Sequence, residues 1–170
     1  MVDKFENPIQ DNYFLRPGYI FLSEKPTIIS TVLGSSVSVC LYDKKRMVAG
    51  MNHFQLPYIQ EKLHATACYG NVATFNLVHM MLRDGSRIEH LEAQLLGGAF
   101  HPDIFPKDIG RDNILTAKKI LLKKQVRVVS EDVGGRIGRK IVFNTHTNEI
   151  SVLKVQNLRK SDWYPYESDR

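Results

Sequence analysis

The chain has 170 residues, of which 43% are hydrophobic and 24% charged, with a formal net charge of +5. That is enough for one domain with a core that needs no covalent staples. Two cysteines, Cys40 and Cys68, argue against a disulfide framework and for a reducing, cytoplasmic setting. No basic-then-apolar leader opens the sequence, and no stretch approaches the ~20 apolar residues that span a bilayer, so membrane insertion is not expected.

Residues 1–17 are polar and interrupted by Pro8 and Pro17, which reads as an irregular arm. Gly18 to Leu22 and Thr27 to Val32 are β-branched or aromatic runs between breakers, the pattern of strands. From Ser36 to Tyr42 the residues alternate: Val37, Val39 and Leu41 on one side, Ser36, Ser38, Cys40 and Tyr42 on the other. The charged run Asp43 to Arg46 is a turn, and Met47 to Phe54 returns as the second strand of a hairpin with Ser36 near its open end. Tyr69 to Asp84 places Val72, Phe75, Val78 and Leu82 close to a helical stripe that stops at Gly85. Glu92 to Leu96 is a short strand ending in Gly97-Gly98. A second helix is expected from about Asp112 to Lys124, with Ile114, Ala117 and Leu121 inward and lysines gathered toward its C-terminus, where they suit the helix dipole. Strands at Val126–Ser130, Arg139–Asn144 and Glu149–Val155 complete the pattern, and residues 156–170 form a polar and aromatic tail. The expected architecture is a single α/β domain over residues 18–155, with mixed, mostly antiparallel sheets and two main helices. No strand–GxGxxG–helix unit points to a doubly wound parallel sheet.

The basic clusters at Lys118-Lys119, Lys123 to Arg127 and Arg136 to Lys140 read as a solvated helix face and a hairpin edge. No nucleic-acid motif or interleaved aromatic pattern accompanies them, so a nucleic-acid partner is not expected. His64, His79, His90, His101 and His146 lack metal-ligand spacing and CxxC companions.

Ser36 and His53 lie at the open ends of the proposed hairpin. With strands ~4.8 Å apart, the two positions come within reach of each other, which permits a nucleophile–base pair. Cys40 shares a strand face with Ser36 but lies ~13 Å along it, too far to use the same base.

The segment Leu33 to Asp43 followed by Gly50 to Pro57 resembles the signature of the chemoreceptor glutamine deamidase family CheD, roughly LGSCVxVCLYD and then GxNHxxLP. Leu96 to Ala99, Ile109 to Asn113 and Ser130 to Gly135 are similar to that family's GGA, IGxxN and EDxGG segments, in the same order. The resemblance implies a CheD-like fold related to that of deamidating toxins, no cofactor, and deamidation of receptor glutamines to glutamate. It places the nucleophile position, a cysteine in the family, on Ser36 and the general base on His53. The family's threonine shortly before the nucleophile falls on Ser30, with Thr31 beside it. The implied partners are methyl-accepting chemoreceptors and a CheC-type phosphatase docking near Phe100 to Pro106. An oxygen in place of sulfur at position 36 lowers the expected turnover, and the alternative expectation is a non-catalytic chemotaxis adaptor.

Overall fold

The computed structural model describes residues 11–159 and Asp162. Nine strands and two principal helices follow one another as β1 (Asp11–Phe14), β2 (Tyr19–Leu22), β3 (Thr27–Leu33), β4 (Val37–Asp43), β5 (Val48–His53), α1 (Gly70–Arg83), β6 (Leu91–Gly97), α2 (Ile109–Lys123), β7 (Arg127–Val133), β8 (Gly138–Asn144) and β9 (Glu149–Val155). They form two sheets, one of four strands ordered β1-β3-β8-β9 and one of five ordered β2-β5-β4-β6-β7. Only β1 with β3 and β6 with β7 pair in parallel; the other ladders are antiparallel. This is the α/β architecture with mixed, mostly antiparallel sheets and two main helices that the sequence pattern predicts.

Side-chain alternation explains how the layers stack. Val37, Val39 and Leu41 of β4 pack with Leu77, Val78 and Met81 of α1 and with Ala117 and Leu121 of α2. The intervening Cys40 faces the other way, into a second core with Ala49, Met51 and Leu96 of its own sheet and Ile29, Leu33, Ile141 and Phe143 of the four-stranded sheet. The result is three layers, helices on sheet on sheet, and β4 is buried on both faces. A strand between two cores carries apolar or small residues at every position, which is why the run from Val37 to Leu41 holds no charge.

Three features depart from the sequence-based boundaries. Strand β1 lies inside the segment expected to be irregular: Asp11 to Phe14 are polar or aromatic and form an edge, paired with β3 and extended by Leu15 N–H donating to the Ser30 carbonyl. Helix α2 begins at Ile109 because Asp108 caps it, its carboxylate accepting from Arg111 N–H at 2.8 Å. Gly110 weakens the helical signal there, yet it allows the first turn to lie against Gly98 and Ala99. In the tail, Leu158 lies over Gly138 and Asp162 accepts from Lys140 Nζ at 2.6 Å. The expectations for residues 1–10 and for the Trp163–Tyr166 stretch lie outside the described residues.

Gly97 and Gly98 end β6 with φ of 101° and 71°. A side chain at 97 would run into the Ser36 carbonyl, and one at 98 would come within 2.5 Å of Ile114 Cδ1. Gly98→Ala therefore combines a left-handed backbone cost with overpacking. It is expected to lower unfolding free energy by about 2–4 kcal/mol, readable as a reduced urea midpoint at unchanged m-value.

Candidate active site

The link Gly34-Ser35-Ser36 carries the chain from β3 in the four-stranded sheet to β4 in the five-stranded one. Residues on both sides of this link face the space between the sheets. In β3 the inward set is Ile29, Thr31 and Leu33; in β5 it is Ala49, Met51 and His53. Thr31 and His53 therefore approach each other from opposite sheets, and Ser36 enters from the link. The β4–β5 ladder is interrupted beside the site. Regular pairing ends at Cys40 with Met51 and resumes only at the bridge between Val37 and Phe54. In the gap the Asn52 side chain takes the place of a backbone acceptor, its Oδ1 receiving Val39 N–H at 2.8 Å.

The three side chains form one chain of hydrogen bonds. Thr31 Oγ1 donates to the Leu15 carbonyl at 2.7 Å and lies 2.9 Å from His53 Nδ1; His53 Nε2 lies 2.9 Å from Ser36 Oγ. The directions follow from counting protons. A carbonyl can only accept, so the single Thr31 proton goes to Leu15. Thr31 must then accept from His53 Nδ1–H, which leaves a lone pair on Nε2 for the Ser36 hydroxyl proton. This is the tautomer a general base needs. Of the two hydroxyls expected near the base, the one on His53 is that of Thr31. Ser30 belongs to the opposite face of β3, as strand alternation requires.

The loop bearing Ser36 is held on every side. Its three carbonyls each accept a hydrogen bond: Gly34 from Ala99 N–H at 2.9 Å, Ser35 from Asn113 Nδ2 at 2.9 Å, and Ser36 from Gly98 N–H at 2.8 Å. Asn113 also donates to the Gln55 carbonyl at 3.0 Å, two residues beyond the base. Sequence reasoning matched the GGA and IGxxN segments but assigned no task to Gly98, Ala99 or Asn113. The signal available was a glycine pair closing an apolar strand for Gly98 and, for Asn113, a polar residue on the same helix stripe as Ile114, Ala117 and Leu121; Ala99 offered none. Leu15 was invisible because it contributes only a carbonyl.

Burial sets the electrostatics. His53 is 1% exposed, and loss of hydration lowers its pKa from 6.5 to about 4, so the imidazole is neutral at pH 7. Ser36 is 6% exposed, whereas the nearby Ser35 and Gln55 are exposed. Cys40 is enclosed between the sheets, and burial pushes its thiol far above the ordinary range, so it offers no thiolate. Among the described residues no three His, Cys, Asp or Glu side chains gather in a way that could hold a metal, and no helix is long and apolar enough to cross a membrane.

The depressed His53 value couples the site to folding. Between pH 6.5 and 4 the unfolded chain takes up the proton that the folded chain refuses. The stabilisation is thus complete above 6.5 and is lost on acidification through about 4, amounting to roughly 3 kcal/mol. Urea titrations at pH 7 and pH 4 should show this loss, and His53→Gln, which cannot titrate, should show a correspondingly smaller one.

Comparison with known proteins identifies the family. A family model described as CheD chemotactic sensory transduction matches residues 55–154. The chain is 40% identical over 152 residues to a protein of Trichlorobacter lovleyi named "Probable chemoreceptor glutamine deamidase CheD", covering 88% of this chain and 94% of that one. A span of that share necessarily contains both Ser36 and His53. A like-named protein of Sulfurimonas denitrificans is 35% identical, over 84% of this chain and 94% of its own length. A third, from Anaeromyxobacter dehalogenans and named "Probable chemoreceptor glutamine deamidase CheD 1", is 40% identical over 77% of each chain. Identity at this level over most of the fold, joined to a model match across more than half the residues, makes this chain a member of the CheD family.

Proposed function

We propose that this chain is a cytoplasmic protein-glutamine deamidase of the chemotaxis system, acting on glutamine side chains of methyl-accepting chemoreceptors. Ser36 stands in the nucleophile's place, His53 is the base, and Thr31 orients the imidazole. The observation that carries the proposal is the unidirectional hydrogen-bond chain from Ser36 through His53 and Thr31 to the Leu15 carbonyl. An ordinary buried histidine needs two partners of any kind; this one holds a hydroxyl on the nitrogen that can take its proton.

The chemistry runs in two halves. Ser36 Oγ attacks the amide carbon as its proton passes to His53 Nε2, giving a tetrahedral oxyanion. Collapse of that intermediate breaks the C–N bond, and the proton on His53 goes to the leaving nitrogen, which departs as ammonia. Water then repeats the sequence on the acyl ester, and glutamate leaves. The recessed position of Ser36 suits a long, unbranched amide side chain presented from a protein surface.

The magnitudes make Ser36 the weak component. A base with a pKa of about 4 is poorly matched to any hydroxyl. A thiol titrates near 8.5, whereas an unactivated hydroxyl resembles water and holds its proton far more tightly, a gap on the order of 10 kcal/mol. The serine therefore depends wholly on a concerted transfer and on oxyanion stabilisation. That dependence supports a second reading, an adaptor that binds receptors without turning them over. The exposed Ile104 and Phe105 just beyond Ala99 support a protein contact there under either reading, and a CheC-type phosphatase is the proposed occupant.

Incubation with a cytoplasmic receptor fragment, followed by mass spectrometric mapping of Gln-to-Glu conversion, tests both readings. Slow or absent conversion is expected for the chain as it stands, with Ser36→Cys raising the rate by at least 100-fold, within the range general-base and nucleophile effects supply. Rapid conversion by the Ser36 form would overturn the adaptor reading. Receptor binding without conversion by either form would overturn the deamidase reading.

A further inference from the structure

Asn113 is fully buried in α2, and its amide has two neighbours, the carbonyls of Ser35 and Gln55 at 2.9 and 3.0 Å. Both are acceptors, so only the Nδ2 orientation satisfies them, one N–H to each. The Oδ1 is left buried with no hydrogen-bond partner among the described residues. A buried acceptor without a partner costs about 1–3 kcal/mol, so an apolar residue here would avoid a penalty that Asn113 carries. Something about the two donated bonds outweighs it.

The Ser35 carbonyl shares a peptide plane with Ser36 N–H. The described chain contains no cis peptide bond, and in a trans peptide the C=O and N–H point in opposite directions. Fixing the carbonyl toward α2 therefore fixes Ser36 N–H away from it. That N–H takes no protein partner among the described residues, although the carbonyls of Gly34, Ser35 and Ser36 all do. A free amide on the nucleophile's own residue is the donor that an attacked carbonyl would meet as its oxygen becomes anionic. The second Asn113 bond joins this loop to Gln55, so a single side chain sets the spacing between the nucleophile loop and the strand that carries the base.

We infer that Asn113 is a positioning residue for oxyanion stabilisation: by holding the Ser35–Ser36 peptide plane, it aims Ser36 N–H at the oxygen of the attacked carbonyl. This rests on the reading of position 36 as the nucleophile, but not on the identity of the substrate.

The role predicts a split between two reactions of the Ser36→Cys full-length chain. Acylation by p-nitrophenyl acetate begins with sulfur attacking the ester carbonyl while the thiol proton passes to His53. A tetrahedral oxyanion forms and collapses with release of p-nitrophenolate. Alkylation by iodoacetamide displaces iodide at a saturated carbon and forms no oxyanion. In the Ser36→Cys background, adding Asn113→Ala should slow acylation at least 10-fold while changing alkylation less than about 3-fold, since loss of a whole oxyanion donor costs ~100- to 1,000-fold. Asn113→Leu keeps the branched shape of the side chain but has no N–H to donate; it should show the same split, and a retained cooperative melt identifies the folded variants. Equal slowing of both reactions would mean that Asn113 merely holds the site together and would overturn the inference, as would slowing of neither. Receptor deamidation by the Ser36→Cys chain reports separately on substrate identity, so failure there leaves the acylation result standing.

Discussion

The site depends on a contact made across the gap between two sheets. Thr31 belongs to the four-stranded sheet and His53 to the five-stranded one, and their hydrogen bond is 2.9 Å long. Everything else about the base follows from it. Because Thr31 has already given its proton to the Leu15 carbonyl, it can only receive one, and the imidazole is obliged to present a lone pair to Ser36. A backbone carbonyl at the far end thus decides the protonation of the nitrogen at the near end. The two sheets must stack in register for this to happen, which is the work of the core between them, with Ile29, Leu33, Met51, Ile141 and Phe143.

The same enclosure that orders His53 also makes it a feeble base. Taking the ring out of water lowers its pKa to about 4, and no carboxylate stands on Nδ1 to restore it. A hydroxyl in the third position orients the ring without adding charge. Such a site is matched to an acidic nucleophile, one that needs little help to lose its proton. Position 36 holds the opposite kind of group. Around it the carbonyls of the loop are tied and the glycine pair packs closely against them.

Much of this was legible from residue pattern. The hairpin of β4 and β5 announces itself by alternation around a charged turn, and the two helices by their apolar stripes and the stop at Gly85. What alternation could not decide was which of two adjacent hydroxyls faces inward. In Ile28-Ile29-Ser30-Thr31-Val32-Leu33 both faces carry aliphatic side chains, Ile29 and Leu33 on one and Ile28 and Val32 on the other, so composition marks neither hydroxyl as the inward one. Strand β1 was missed for a different reason: Asp11 and Asn12 are exposed at an edge, and only the neighbouring ladder makes them a strand. Asn113 shows a third limit. Its type and place in a matched segment were plain, but its partners are carbonyls 58 and 78 residues away in the chain, and no local signal reports such a contact.

One consequence of the cysteine placement concerns oxidants. Peroxide attacks thiolates, climbing from sulfenic to sulfonic acid, and silences enzymes whose nucleophile is an exposed low-pKa cysteine. Here Cys40 is sealed between sheets with its thiol held protonated, and the atom facing His53 is an oxygen that cannot climb that ladder. The partly exposed Cys68 is the thiol left within reach, and its hydrogen bonds to the chain are made by its backbone: the carbonyl accepts from Gln55 and Leu56 N–H, and its N–H donates to Thr66 Oγ1. The hydrogen-bonded site should pass through oxidative conditions chemically unaltered, which sets the redox tolerance of this chain apart from that of a thiolate enzyme built on the same frame.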